Sequence, residues 1–130
     1  MDIVIDTSVV LAVVCGEAGR ESAIRVTKGH TLRAPASLHW EIGNALSAMV
    51  KRARISGAQA QACITAYGKI PIKWVEVDLK SALSISAKLK IYAYDAYMLT
   101  CAKQAASPLL TFDEALQVHA KELGIEVLEI

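Results

Sequence analysis

The segment Ile3-Val4-Ile5 constrains the fold more than any other short stretch of this chain. It is β-branched and apolar with no polar face, the pattern of a strand covered on both sides, as in a parallel sheet. Such a strand has no reason to end in a carboxylate unless something there needs one, yet Asp6 follows directly. Thr7-Ser8 and then Val9 to Val14 come next, so the chain leaves a central strand, sets an acid at its carboxyl end and enters a helix. A helix cap, with Asp6 or Ser8 accepting backbone N–H bonds, explains the stretch as well as any functional role does. What separates the two is whether other acids arrive at the same place.

Further strand patterns fall at Thr31–Ala34, Trp74–Val77, Leu109–Thr111 and Ile125–Leu128. Between them lie helical stretches: Arg20–Lys28, a long one from a Ser37 cap to about Ile55, Ala58–Lys69, Leu79–Leu89, Tyr94–Gln104 and Asp113–Leu123. Pro35 stops the second strand, Ser56-Gly57 breaks the long helix, and Gly124 takes the C′ position after the last one. This alternation predicts an α/β fold: a three-layer α/β/α sandwich with a central parallel sheet of about five strands. At 130 residues, without repeat or linker, residues 1–130 read as a single domain.

The chain is 54% apolar, yet charges, Gly or Pro interrupt every run short of a membrane span. The opening apolar segment lacks a basic flank and contains Asp6, a poor signal peptide, so a cytoplasmic protein is expected. The apolar surplus points to a surface covered by a partner: a second copy, another protein, or both. A net charge of +1 advertises no global basic field, although acids gathered in one site would leave a basic remainder elsewhere. Cys15, Cys63 and Cys101 are odd in number and far apart, which suits buried thiols rather than disulfides or zinc. His30, His39 and His119 are equally scattered.

Three more carboxylates need weighing. Asp113 follows Leu110-Thr111-Phe112, at a strand end and helix start, where Thr111 with Glu114 also fits a capping box. Glu41 lies near the first turn of the long helix, beside its apolar stripe, a position the helix dipole favours. Asp95 stands amid Ile91, Met98, Leu99 and Ala102 on one helical stripe, and an unpaired carboxylate buried there costs several kcal/mol. In a parallel sheet, strand carboxyl ends and the amino ends of the following helices share one edge. Asp6, Glu41, Asp95 and Asp113 can therefore meet in the crevice where such sheets place ligands. Four clustered carboxylates need a counter-charge, and an oxygen-only set without Cys or His suits Mg²⁺ or Mn²⁺ rather than zinc. Phosphoryl or phosphodiester chemistry is the usual task of such a site.

The segments Ile3-Val4-Ile5-Asp6-Thr7-Ser8, Glu41-Ile42-Gly43-Asn44, Tyr94-Asp95-Ala96-Tyr97 and Leu110-Thr111-Phe112-Asp113 occur together and in order. In this the chain resembles the PIN-domain ribonucleases, and among them the small toxins of VapBC toxin–antitoxin pairs. The resemblance covers essentially the whole chain and extends to Ala115-Leu116 and Leu123-Gly124. It implies a Mg²⁺- or Mn²⁺-dependent endoribonuclease that forms a homodimer and is inhibited by a cognate antitoxin threading a segment into the acidic crevice. Carried over by position, Asp6, Glu41, Asp95 and Asp113 form the acidic tetrad, with Ser8 and Asn44 as auxiliary polar residues. Asp6 and Asp95 would ligate the principal metal, while Glu41 and Asp113 would complete its shell, hold a second ion or orient water. Some relatives carry one more acid shortly after the fourth, for which this chain offers only Glu114. Candidate RNA grips are Lys51, Arg52, Arg54, Lys69, Lys73, Lys88 and Lys90. The Lys51–Arg54 run equally suits cations complementing a helix C-terminus.

Two alternatives share the architecture. A phosphoacceptor receiver domain would ordinarily show adjacent acids after its first strand and a lysine after its last; here Asp6 leads into Thr7-Ser8, and Glu129-Ile130 ends the chain. A non-catalytic interaction module of the same family would be expected to lose acids, and all four remain.

Overall fold

In the computed structural model, which describes residues Met1–Ile130, Ile3, Val4 and Ile5 are buried, as a strand without a polar face requires. They form β1 (Asp2–Ile5), followed by α1 (Thr7–Val14), α2 (Arg20–Thr27), β2 (Thr31–Pro35), α3 (Ser37–Lys51) and α4 (Gly57–Tyr67). The chain continues through β3 (Ile72–Val75), α5 (Leu79–Leu89), α6 (Ala93–Ala105), β4 (Leu109–Leu110) and α7 (Glu114–Glu122). The strands form one four-stranded parallel sheet in the order β3-β2-β1-β4. Val4 is paired on both sides, opposite Arg33 of β2 and Leu109 of β4. The chain therefore steps outward from β1 through β2 and β3, then returns to the other flank of β1 with β4. That reversal is a topological switch point, and it opens a crevice between the carboxyl ends of β1 and β4.

Helices α1 to α4 pack among themselves, as do α5 to α7, and α6 lies against β1 and β2. The core joins Ile3 and Val4 to Leu38, Ile42, Met98, Leu99, Leu109 and Leu110. Each of these large side chains contributes about 1.5–3 kcal/mol on burial. At the opposite edge from the crevice, Arg33 Nε donates to Asp2 Oδ2 at 2.6 Å, so Asp2 belongs to a strand-to-strand ion pair and not to the acid cluster.

Several expectations need correction. The sheet has four strands rather than about five, because Ile125–Leu128 reduces to a single bridge between Leu109 and Val127. β4 is only two residues long, so it offers little more than Leu109, whose N–H and C=O bond Glu126 and Leu128 at 2.8 and 2.9 Å. Ser37 does not cap α3: Ala36 holds that position, and the Ser37 hydroxyl is buried with no hydrogen-bond partner. The same helix ends at Lys51 rather than near Ile55, because Ala53 turns to φ +57°. Ser56 and Gln59 then form a full capping box that starts α4. Cys15 and Cys63 are free but in contact, Sγ to Sγ at 3.2 Å, which ties the end of α1 to α4.

Candidate active site

Asp6 is both an acid in the crevice and the N-cap of α1. Its Oδ1 accepts from Val9 N–H at 3.1 Å and from the Ser8 hydroxyl at 2.7 Å, while Oδ2 accepts from the Thr111 hydroxyl. The capping explanation thus holds for the carboxylate itself and coexists with its place among other acids. At 6% exposure, burial pushes the Asp6 carboxyl above its ordinary range and the charge of Asp113 adds to this, against the three hydrogen bonds, which lower it.

Thr111 is the residue the sequence reading missed. It was expected to open a capping box with Glu114, but Asp113 caps α7, its Oδ1 accepting from Leu116 N–H at 3.1 Å. Thr111 is fully buried, donates to Asp6 and accepts from Asp113 N–H at 3.0 Å. Ser8 completes the link by accepting from Phe112 N–H at 2.9 Å. These bonds fasten the carboxyl end of β1 to that of β4, across the switch point. A hydroxyl directly after the apolar Leu109-Leu110 pair was the available signal, since a buried Thr must find a partner.

Glu41 and Asp95 approach from the other side, on α3 and on the first turn of α6. Burial, reinforced by the charges of Asp95 and Asp6, pushes the Glu41 carboxyl up to about 7, and its Oε2 is buried with no hydrogen-bond partner. Asp95 is half-buried rather than fully enclosed; burial and the Asp113 charge raise its pKa, while His119 opposes them. All four acids line one cavity of about 280 Å³, together with Thr7, Ser8, Tyr94 and the apolar Leu11, Met98 and Leu116. No basic side chain is among them.

Two expected members stay outside. Asn44, three residues beyond Glu41, is exposed and does not line the cavity: three helical steps turn it about 60° away and lift it about 4.5 Å. Glu114 is exposed at the start of α7 and faces a different cleft. The candidate RNA grips are all exposed, and Lys51 lies ten residues beyond Glu41, about 15 Å along α3.

The donor chemistry fits a hard divalent cation. All candidate ligands are oxygens, and Glu41 Oε2 and Thr7 Oγ1 are buried without partners. The side chains as they stand do not bring three acidic groups close enough to share one ion. Both Asp6 oxygens and one Asp113 oxygen are turned instead to protein donors.

A parallel α/β sheet with its acids at the switch point matches a known family. The chain belongs to the PIN domain family, whose model matches residues 3–122. No curated protein matches its sequence. Among solved structures it is similar to PAE2754 from Pyrobaculum aerophilum, at 18% identity and TM-score 0.70, over 95% of this chain and 86% of that one. It is also similar to a chain of VapBC2 from Rickettsia felis bound to a DNA fragment from their promoter, at 13% identity, TM-score 0.69 and coverage of 99% and 98%. A third is Mycobacterium tuberculosis VapC20, a sarcin–ricin-loop-cleaving toxin, at 14% identity, TM-score 0.69 and coverage of 98% and 99%. At these identities the likeness is one of fold. Family membership also decides against the receiver-domain alternative.

Proposed function

We propose that this chain is a divalent-metal-dependent endoribonuclease and the toxin of a VapBC-type toxin–antitoxin pair. One observation carries the reading: four carboxylates reach a single cavity, from the N-caps of α1 and α7 and from within α3 and α6, in a fold otherwise economical with buried charge. Asp6 and Asp95 would hold the cation, with Glu41 and Asp113 completing its surroundings through their remaining oxygens. Ser8 and Thr111 position Asp6, and Leu11, Met98 and Leu116 are the apolar residues that line the same cavity. A bound Mg²⁺ or Mn²⁺ supplies an activated water and offsets charge developing on the scissile phosphate. The acids alone would repel a nucleic-acid strand, so affinity must come from that ion and from cations elsewhere on the surface.

The toxin assignment draws on the fold shared with VapC20 and the VapBC2 chain, and it brings an RNA substrate and a cognate antitoxin as partners. Exposed Trp40, Leu83 and Val118 provide apolar surface for a homodimer or the antitoxin. No helix is long and apolar enough to cross a membrane, and a cytoplasmic setting is part of this proposal.

The test is cleavage of single-stranded RNA by purified protein during a Mn²⁺ titration. Wild type should cleave only with metal, while Asp6→Asn and Asp95→Asn should fall to background with their circular dichroism spectra unchanged. Wild-type protein inert at every metal concentration would leave the non-catalytic interaction module in its place. Full activity in either variant would overturn the site assignment.

A further inference from the structure

We propose that the cavity beside the acid pocket, at the carboxyl ends of β2 and β3, is a nucleobase subsite that holds one base of a single-stranded RNA next to the bond being cut. The inference rests on the nuclease reading for its substrate, but it stands on different residues. The cavity, about 260 Å³, is lined mainly by Pro35, Val75, Val77, Leu79 and Tyr97, with the exposed Glu76 as its one acidic residue. Tyr97 on this lining supplies an aromatic ring on which a base can stack. Ser37 also lines the cavity, although its hydroxyl is itself buried and without a hydrogen-bond partner. A mostly apolar pocket that carries an aromatic residue suits a stacked base.

Continuity with the acid pocket supplies the occupant. Tyr94 lines the acid pocket and Tyr97 lines this cavity, and their rings meet edge to face with centroids 6.1 Å apart. Both stand in the opening turns of α6, on either side of Asp95. A phosphodiester held at the acids would therefore send its neighbouring nucleotide across Tyr94, which is 44% exposed, and onto Tyr97. Every base offers a π-face, so such a ledge grips single strands without demanding one sequence.

The experiment compares wild type with Tyr97→Ala, Tyr97→Leu and Tyr97→Phe in two measurements: Mn²⁺-dependent cleavage, and equilibrium binding of a fluorescent single-stranded RNA. The RNA is also prepared with an abasic position on either side of the cleaved bond. Loss of one stacked base should raise KM, or Kd, roughly ten- to a hundredfold with kcat changed little. Tyr97→Phe should behave as wild type. Tyr97→Leu keeps the apolar volume and should lose affinity like Tyr97→Ala, which separates stacking from misfolding. One abasic position should weaken wild type by the same factor and leave Tyr97→Ala unaffected. Wild-type cleavage with unchanged KM in both the Ala and Leu variants would overturn the subsite alone. Binding that depends on Tyr97, with no cleavage by any protein, would overturn the nuclease reading and keep the subsite. Variants that bind RNA normally but lose a protein partner would assign the cavity to that partner and overturn the proposal.

Discussion

On the β1–β4 wall of the acid pocket every oxygen of Asp6 meets a protein donor, whereas on the α3–α6 wall Glu41 keeps a buried oxygen with no partner. The Asp6 carboxylate is satisfied without any ion, although the neighbouring Thr7 Oγ1 is buried without a partner. Its bonds join residues as far apart as Asp6 and Thr111, and they also cap α1 and order the turn into α7. On the second wall burial, and then the charges of Asp95 and Asp6, push the Glu41 carboxyl up to about 7. One side of the pocket is thus finished by folding, and the other stores a cost that a counter-charge would release. A rigid acid opposite a frustrated one gives a cation both a defined position and a reason to bind.

Breaking the finished wall should have the largest effect on stability. Thr111→Val keeps shape but strips Asp6 of a donor inside the core, at a cost of about 1–3 kcal/mol. Urea denaturation should show that loss, and Thr111→Ser should restore most of it. A Thr111→Val protein as stable as wild type would mean that the Thr111–Asp6 bond contributes little and that the two walls differ less than their geometry implies.

The frustrated wall should respond in the opposite sense. Folded protein holds the Glu41 proton up to about 7, while the unfolded chain releases it near 4.5. The stability linked to that proton is therefore complete below about 4.5 and lost as pH rises toward 7. In metal-free protein, Glu41→Gln should raise Tm above pH 7 and change it little near pH 4, so the difference between the two proteins grows with pH. Mn²⁺ should stabilise wild type more than the variant. A Tm difference independent of pH would show that burial of Glu41 is not a source of strain.

Much of this pocket was legible in the sequence, for a physical reason. Strand ends and helix starts are local properties, and a parallel sheet brings them to one edge whatever the tertiary detail. Asp6 and Asp95 stood out because each interrupts an apolar pattern that should exclude a charge. What was hidden depends on contacts between distant residues. Thr111 looks like a helix-capping threonine until β4 is laid beside β1, and only then does Asp6 come within its reach. Ser37 carries a good capping side chain, but the chain enters α3 one residue earlier, with Ala36 in helical geometry, and leaves the hydroxyl orphaned. The fifth strand has a fair β pattern and fails because its neighbour offers it a single residue to pair with.

Asp113 sits where the two walls meet, and its replacement gives the smallest and most discriminating effect. Its Oδ1 caps α7, yet it is exposed, and its charge raises the pKa of both Asp6 and Asp95. Asparagine caps a helix about as well as aspartate, so Asp113→Asn should alter stability by less than about 0.5 kcal/mol. Removing the charge should make Asp6 and Asp95 easier to ionise, which by itself would help a cation bind. Loss of the carboxylate as a ligand acts the other way. If Asp113 belongs to the ion's surroundings, calorimetric Mn²⁺ affinity should fall despite that electrostatic gain. If it only caps α7, affinity should hold or rise, and the acid cluster would reduce to Asp6, Glu41 and Asp95, with Asp113 counted among the bonds that finish the first wall.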